Sequence, residues 1–366
     1  MSSTKSIYLE ETGELSVREI TQTYVPTGEQ SLVSVKYSAI NPADLRHYYI
    51  GFHSFVAGYE YIGPVVATGP ASPFRVGDVL FGMAQIGHKR PLHAGAHQDF
   101  ILADPSMTYK IPEYLQADEK EWPNIVGWPV AIRTAVDALF NCMGFGLPGL
   151  GGEKWVLDGE DPRGRALLIW GASSSVGLAA LQIARAAGFS PIFATASAHN
   201  HAALTDLGAT ACFDHRSPSV VFEIRAAALA SGKPLSAIFD AVTVGTGWAE
   251  PAGSSEVDLT KSSPAIAKQC LSDGVSGKDT KLCASLLVEF DRDWTFCLSY
   301  RDKKEEASFH DRLEVATPWL FAHARDIGYT VPKVKIVKGA EDGVQMIKDV
   351  FGGKMSMEKV VIQHPM

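Results

Sequence analysis

The sequence contains little cysteine and no two cysteines in a CxxC pattern. Its 366 residues include five cysteines, scattered between Cys142 and Cys297. A disulfide framework normally uses an even number of cysteines, and a four-cysteine zinc lobe uses closely spaced pairs. Neither is expected here, and a reducing, cytoplasmic compartment suits the free thiols best.

Long apolar runs and an excess of basic residues are also absent from the sequence. No stretch of about 18 apolar residues occurs, as a transmembrane helix would require, and residues 1–6 lack the apolar segment of a signal peptide. The 33 lysines and arginines are outnumbered by 41 aspartates and glutamates, which gives a net charge of −8. Because a nucleic-acid-binding surface must neutralise phosphates, we predict neither a nucleic-acid nor a membrane partner.

The residues that are present predict a folded chain of two domains. Hydrophobic residues make up 46% and charged residues 20% of the sequence, enough for a sizeable core. In the N-terminal part, the short apolar segments 32–39, 61–69 and 78–82 are bounded by turn-forming residues. Short strands at this spacing are typical of a small β-rich, barrel-like domain.

Strands and helices alternate in the second half of the sequence. The pattern predicts strands at 166–170, 191–196, 211–213 and 237–240, with helices at 176–187 and 201–207 between them. A further strand is predicted at 285–288, after a polar, irregular stretch at 246–281. Repeated strand–helix units of this length predict a doubly wound parallel sheet, so the fold class is α/β.

A glycine- and serine-rich loop joins the first of these strands to its helix. It reads Gly171-Ala172-Ser173-Ser174-Ser175-Val176-Gly177. The N-terminus of a helix offers free N–H groups and a partial positive charge to a phosphate, and glycines allow close backbone approach. The loop is therefore predicted to bind a dinucleotide, although Ser173 replaces the middle glycine of GxGxxG. The alternative is a purely structural strand–helix turn.

The end of the second strand predicts which nucleotide is bound. NAD-binding proteins usually carry an acidic residue there to hold the ribose 2′-hydroxyl. This chain has none in 195–200, but Ser197, His199 and Asn200 are donors that suit a 2′-phosphate, and Arg216 follows the third strand. NADPH is therefore the predicted cofactor. The alternative for Ser197 is that it caps the next helix.

Several motifs resemble the medium-chain dehydrogenase/reductase superfamily. They are Ala39-Ile40-Asn41-Pro42-Ala43-Asp44-Leu45-Arg46, Gly58-Tyr59-Glu60-Tyr61-Ile62-Gly63 and Val76-Gly77-Asp78-Val79-Leu80. The cofactor segment is most similar to the fungal branch of quinone oxidoreductase-like proteins and trans-acting enoyl reductases of polyketide pathways. The resemblance implies a GroES-like β-rich catalytic domain at 1–130, completed by 300–366, and a Rossmann domain at 131–299.

The resemblance also bears on zinc. Zinc-dependent members use a cysteine near Leu45 or Arg46 and a histidine in GHE, where this chain has Tyr59, and no cysteine precedes Cys142. Glu60 alone cannot supply the roughly three protein ligands of a catalytic zinc. We therefore predict a zinc-independent enzyme with no metal site.

Without zinc, the resemblance implies transfer of hydride from NADPH to the β-carbon of a C=C bond conjugated to a carbonyl. Arg46 lies where many relatives have lysine; it can stabilise an oxyanion but is a poor proton donor. Tyr59, Thr134 and Asn41 are the other candidate catalytic residues, and His215 stands where the branch has a tyrosine against the adenosine. The alternatives are turn formation for Asn41 and ordinary packing for Tyr59.

Three functions remain open from the sequence. The first is an enoyl or quinone reductase of secondary metabolism, acting on a small molecule or a carrier-bound polyketide. The second is carbonyl reduction or a redox-neutral isomerisation or cyclisation, and the third is a non-catalytic NADPH-binding scaffold. A monomer is favoured over a homodimer, because the stretch after Asp240 diverges where relatives dimerise.

Overall fold

The computed structural model of the protein divides into two compact units. The structure describes residues 4–84, 86–87, 90–115, 118–152, 154–250, 257–275 and 277–366. The first unit comprises Met1–Val130, Ala249–Pro251 and Val331–Met366, and the second comprises Ala131–Trp248 and Ala252–Thr330.

The strands are numbered in chain order. They are β1 Thr4–Leu9, β2 Leu15–Ile20, β3 Ser31–Ser34, β4 Tyr37–Ala39, β5 Phe55–Val56, β6 Glu60–Thr68, β7 Val79–Met83, β8 Phe100–Ala103, β9 Thr108–Lys110, β10 Leu147–Pro148, β11 Trp155–Leu157, β12 Ala166–Trp170, β13 Ile192–Thr195, β14 Ala211–Phe213, β15 Leu235–Asp240, β16 Lys281–Ala284, β17 Trp294–Phe296, β18 Lys333–Lys338 and β19 Glu358–Gln363.

The helices are numbered in the same way. They are α1 Ala43–Arg46, α2 Trp122–Ile125, α3 Trp128–Val136, α4 Ser175–Ala187, α5 His201–Asp206, α6 Val220–Ser231, α7 Ser263–Lys268, α8 Ala307–Ala322 and α9 Ala340–Phe351. A π-helical segment, Asp137–Cys142, continues α3. None of the helices in the described ranges is long and apolar enough to cross a membrane.

The first unit is built on β-sheets, as predicted. Its largest sheet has the order β18-β19-β4-β6-β3-β8, with β7 paired to β6 and to β9, and a smaller sheet has the order β2-β1-β5. Helix α9 packs against this core. A Cβ at Gly343 of α9 would lie 2.7 Å from Ile7 and 2.9 Å from Ile362, so only glycine permits this close approach.

The second unit contains the predicted doubly wound sheet. Its six strands are parallel in the order β14-β13-β12-β15-β16-β17. This order is 3-2-1-4-5-6 when the strands of this sheet are numbered in chain order. This strand order is that of dinucleotide-binding Rossmann domains. Every residue of β12 is buried, as expected for a central parallel strand.

Two sequence-based boundaries differ from the structure. The strand predicted at 285–288 is wrong: β16 ends at Ala284, and Ser285 instead donates its N–H to Asp240 O at 2.8 Å. Apolar residues after the strand produced the misleading pattern. The C-terminal return to the first unit begins at Val331 and not at residue 300. The reason is α8, where Arg312 donates to Phe140 O at 2.7 Å and Asp158 O at 2.8 Å.

Candidate functional site

The loop between β12 and α4 has a backbone that only glycine allows at two positions. Gly171 has φ +78°, and a Cβ there would lie 2.5 Å from the side chain of Val242. A Cβ on Gly177 would lie 2.4 Å from Gly171 O, a backbone atom that cannot move aside. The loop therefore closes tightly on the start of the helix, as a phosphate-binding turn requires.

Ser174 caps the N-terminus of α4, and two other backbone N–H groups of the first turn stay available to a ligand. Its Oγ accepts from Gly177 N at 3.0 Å, and its carbonyl accepts from Leu178 N at 2.8 Å. Within the described chain, the N–H groups of Ser175 and Val176 make no hydrogen bond. Two open donors at the positive end of a 13-residue helix suit a pyrophosphate.

The rest of the loop is fixed by β13. Gly171 N donates to Thr195 Oγ1 at 3.0 Å, and Ala172 N donates to Thr195 O at 2.9 Å. Ser173 stands where GxGxxG has its middle glycine, and it does not adopt a positive φ. A serine is therefore compatible with this backbone.

The residues after β13 present polar groups of different exposure. Ser197 begins the short 3₁₀ helix Ala198–Asn200, but its side chain makes no capping hydrogen bond, so its hydroxyl is not used as a cap. His199 is exposed and Asn200 is buried. No acidic side chain occurs between β13 and α5.

Arg216 is held by a neighbouring carboxylate. Its Nε and Nη2 lie 3.2 and 3.3 Å from the two oxygens of Asp214. Hydrogen bonds from Arg216 lower the pKa of Asp214 to about 2. His215 is also exposed, with its Nδ1 3.8 Å from the same carboxylate. Arg216 must therefore share or exchange this partner to hold a phosphate.

In the first unit, Glu60 and Lys359 form a buried ion pair. Lys359 Nζ donates to Glu60 Oε2 at 2.8 Å and to Asn41 Oδ1 at 2.7 Å, and Asn41 Nδ2 donates to Glu60 Oε2 at 2.9 Å. Val130 N donates to Glu60 Oε1 at 2.8 Å. Glu60 and Lys359 are 0% and 3% exposed, so the pair joins β6 and β19 in the interior.

Tyr59, at the end of the turn before β6, lies in a second polar group. Its hydroxyl is 2.5 Å from His47 Nδ1, and its ring lies 4.7 Å from the guanidinium carbon of Arg90. Arg90 donates through Nη2 to Gly58 O and, at 3.1 Å, to Ala94 O. Tyr59 is 2% exposed, whereas His47 is only half-buried.

Asp44 and Arg46 of α1 lie beside this group. Asp44 Oδ2 accepts from Asn41 N at 2.7 Å and lies 3.4 Å from His97 Nε2, while Oδ1 is buried without a partner. Arg46 Nε is likewise buried and unpaired within the described residues. Burial lowers the pKa of Arg46, and Glu250 opposes this shift.

Asp44 also belongs to a buried chain of histidines. Ser38 Oγ lies 2.9 Å from both His97 Nδ1 and His364 Nε2, and His364 Nδ1 lies 3.0 Å from Asp99 Oδ1. The Ser38–His364–Asp99 order matches that of a hydrolase triad. Ser38 is 0% exposed and its hydroxyl is shared by two imidazoles, so this series of hydrogen bonds has a structural role.

Thr134 lies in the part of α3 that belongs to the second unit. It is 8% exposed. Its neighbour Arg133 donates to Ser299 O at 2.7 Å and to Glu314 at 2.8 Å, which fixes this turn of the helix.

The comparisons with known proteins agree with both units. Residues 27–113 match the alcohol dehydrogenase GroES-like domain. The chain is 34% identical over 238 residues to the dehydrogenase orsE of Emericella nidulans, covering 61% of this chain and 67% of that protein.

The chain belongs to the medium-chain dehydrogenase/reductase superfamily.

Two further proteins are similar to this chain, one in sequence and one in fold. The trans-enoyl reductase himH of Aspergillus japonicus is 30% identical over 195 residues, covering 52% of this chain and 53% of that protein. An alcohol dehydrogenase superfamily protein from Novosphingobium aromaticivorans has the same fold, with a TM-score of 0.68, 18% identity and 99% coverage of both chains. The chain spans about half to two thirds of the length of the curated relatives that it matches.

Members of this superfamily use a nicotinamide cofactor, and the glycine loop has the backbone to hold one.

Few side chains in the described part of the first unit are available as zinc ligands. Tyr59 is bonded to His47, and the carboxylate of Glu60 is taken up by Lys359 and Asn41. Within the described ranges, no three His, Cys, Asp or Glu side chains are grouped to hold a metal. The predicted absence of a metal stays a prediction.

Of the predicted catalytic residues, the structure brings Asn41, Arg46 and Tyr59 to neighbouring polar groups of the first unit. Thr134 and the cofactor loop belong to the second unit. Sequence reasoning missed His47, Arg90 and Lys359. Lys359 is buried in β19 directly before the apolar residues Val360, Val361 and Ile362, which is a signal for a buried ion pair, but its partner in β6 cannot be identified from the sequence.

Proposed function

We propose that this protein reduces a C=C bond conjugated to a carbonyl group, with NADPH as the reductant. The observation that carries the proposal is the Gly171–Gly177 loop, whose two open N–H groups and two glycines without a Cβ suit a pyrophosphate. Similarity to proteins named trans-enoyl reductase then directs the choice of reaction within the superfamily. When bound, NADPH supplies a hydride.

The preference for NADPH over NADH rests on the segment after β13. No carboxylate is present there to hold a 2′-hydroxyl or to repel a 2′-phosphate. Ser197 has a hydroxyl free of capping, and His199 is exposed. Arg216 follows β14, the strand that pairs with β13, and so adds a guanidinium at the same edge of the sheet, although Asp214 competes for it.

The polar groups of the first unit would serve the substrate. Arg46 carries a buried, unpaired donor and stays charged at neutral pH, so it suits a developing enolate oxygen. Asn41 already uses both ends of its amide on Lys359 and Glu60. We therefore assign Asn41 a positioning role. Thr134 is retained as a contact of the nicotinamide, by resemblance.

The substrate is a small molecule, either free or presented as a carrier-bound thioester. We further propose that the protein works as a monomer in the cytoplasm. The outer strand of the Rossmann sheet, β17, is only three residues long, and short edge strands are poor templates for pairing between copies.

The first test is NADPH binding, followed by NADPH oxidation with a panel of enones, quinones and enoyl thioesters. Turnover on any member supports the reductase. Conversion without consumption of NADPH would instead indicate isomerisation or cyclisation. Binding without any conversion would indicate a scaffold, and absence of binding would refute the proposal.

A matched variant tests the choice of nucleotide. Ser197→Asp places a carboxylate where NAD-binding proteins have one, so it should weaken NADPH and favour NADH. A change in the ratio of the two dissociation constants of at least about tenfold is expected, since one charge contact contributes about 1.4 kcal/mol or more. An unchanged ratio would mean that 195–200 does not contact the ribose. Thr205→Asp, on the exposed side of α5, is the control for added charge.

A further inference from the structure

His47 is the accessible end of a short polar chain in the first unit. Its Nδ1 lies 2.5 Å from the hydroxyl of Tyr59, and no described residue bonds to Nε2. Edge-to-face contacts with Tyr59 and Phe52, at 5.1 and 5.5 Å between ring centres, fix the plane of the imidazole. A hydrogen bond at one ring nitrogen selects the tautomer. If Tyr59 donates to Nδ1, the ring proton resides on Nε2.

Arg90 lies beside Tyr59, and two of its guanidinium nitrogens make no hydrogen bond in the described structure. Its Nη2 is used by Gly58 O and Ala94 O, but Nε and Nη1 are buried without hydrogen-bond partners in the described structure. Arg90 is 5% exposed, and its guanidinium carbon lies 4.7 Å from the centre of the Tyr59 ring. A buried cation that is hydrogen-bonded only to neutral carbonyl groups is costly to maintain. A negative charge on Tyr59 would offset that cost.

We propose that His47 donates the proton that completes the reduction and that Tyr59 replaces it, with Arg90 stabilising the resulting phenolate. This inference rests on the proposed function. It assigns a catalytic role to His47, which would touch the substrate, and positioning and relay roles to Arg90 and Tyr59.

The steps balance as follows. Hydride addition at the β-carbon leaves the substrate as an enolate. The Nε2–H bond of His47 breaks as a C–H bond forms at the α-carbon, and the O–H bond of Tyr59 breaks as an Nδ1–H bond forms. The charge then resides on the Tyr59 phenolate. One proton from water, taken up at Nε2, returns the pair to its starting state, so the only reductant consumed is NADPH.

Burial keeps both groups neutral before the reaction. Burial, together with the charges of Arg90 and Arg46 and against that of Asp44, lowers the pKa of His47 to about 4. Burial, together with the charge of Asp44 and against that of Arg90, raises the pKa of Tyr59 to about 12. At neutral pH the imidazole and the phenol therefore each hold one transferable proton.

The test compares Tyr59→Phe, His47→Gln and the double variant, with an enoyl thioester of N-acetylcysteamine as substrate. Each single variant should lower kcat by about 100-fold or more, the usual range for a general acid, with no change in the dissociation constant of NADPH. The double variant should be no slower than the slower single variant, because the two residues act as one unit. Tyr24→Phe is the control: this buried phenol bonds to Gln98 at 2.8 Å and should keep the wild-type rate.

A second readout does not depend on turnover. Nitrogen NMR of the His47 ring, assigned by its loss in His47→Gln, should show the Nε2–H tautomer in the wild type and a mixture in Tyr59→Phe. An Nδ1–H tautomer in the wild type would overturn the relay. So would wild-type turnover that Tyr59→Phe and His47→Gln both retain, although the reductase would then stand. A wild type that oxidises no NADPH with any probe would overturn both proposals.

Discussion

The glycine loop of the second unit and the polar groups of the first unit hold their polar atoms in position by opposite means. The loop places its backbone N–H groups within seven consecutive residues, Gly171–Gly177, and the side chains of Ser174 and Thr195 fix it. The first unit uses side chains from distant segments, such as Asn41, Glu60 and Lys359, which are buried together. A site of the first kind depends on local conformation, and one of the second kind depends on the whole fold.

This difference has an energetic consequence. A backbone site stays neutral when empty, so it carries little desolvation cost. A buried ion pair loses hydration on both charges, and its mutual attraction and hydrogen bonds must compensate. We therefore expect single substitutions to affect folding in the first unit and nucleotide binding in the second.

The largest expected effect is that of Lys359→Met. This change leaves the carboxylate of Glu60 buried without its cation, and breaking a buried pair typically costs about 3–5 kcal/mol. Urea unfolding should show the loss. Lys333→Met is the matched control, because Lys333 also pairs with a glutamate, Glu358, at 2.8 Å but is 71% exposed. Its effect should stay below about 1 kcal/mol.

The double variant Glu60→Gln with Lys359→Met completes this test. Removing both charges should recover much of the stability lost in Lys359→Met, since an apolar or neutral replacement of a buried pair is often tolerated. Equal losses in Lys359→Met and Lys333→Met would show that burial of the ion pair does not set the cost of removing its cation.

The next effect is expected for Gly177→Ala in the loop. The added Cβ would meet Gly171 O at 2.4 Å, so the backbone must shift and misalign the donors of Ser175 and Val176. Loss of two charge-assisted hydrogen bonds, at about 1.5–3 kcal/mol each, weakens NADPH binding by roughly 100-fold or more. Fluorescence titration measures this change. Gly352→Ala, whose Cβ would meet nothing closer than 3.3 Å, should bind NADPH normally. Equal affinity in the two variants would show that the loop does not hold the cofactor.

The same contrast explains what the sequence could predict. The loop, its flanking strand Ala166–Trp170 and the helix α4 are contiguous, so their pattern identified them directly. Tyr59 was found only through a family motif. Its partners could not be found, because His47 and Arg90 reach it through strand pairing and turns that bring together residues 12 and 31 positions away along the chain.

The C-terminal strand shows the same limit. The apolar run Lys359-Val360-Val361-Ile362 predicts a strand close to the observed β19, Glu358–Gln363, but not its neighbour β4, to which it pairs across most of the chain length. Lys359 meets Asn41 and Glu60 only because of that pairing. Apolar periodicity gives the strand, and it carries no information on which strand lies beside it.

The last prediction concerns Asp240, a buried carboxylate of the second unit that ends β15, beside the loop. It accepts from Ser263 Oγ at 2.5 Å and from Thr243 N at 2.9 Å, yet burial raises its pKa to about 6. Because this pKa lies above the unfolded value of about 3.9, the folded state holds the proton more tightly. Its stabilising contribution is complete below about pH 4 and is lost as the pH rises through about 6.

Asp240→Asn removes this titration while keeping the shape of the side chain. The free energy of unfolding of the wild type, relative to the variant, should fall by about 2–3 kcal/mol between pH 4 and pH 7, since each pKa unit corresponds to about 1.4 kcal/mol. Asp214→Asn should show the opposite sign, because the pKa of Asp214 is lowered and its contribution is lost as the pH falls. A pH-independent difference for Asp240→Asn would mean that Ser263 and the backbone N–H groups of Val242 and Thr243 fully stabilise the charge. Neutral donors beside the loop would then hold a buried carboxylate as readily as Lys359 holds Glu60, and the contrast between the loop and the polar groups of the first unit would reduce to sequence locality alone.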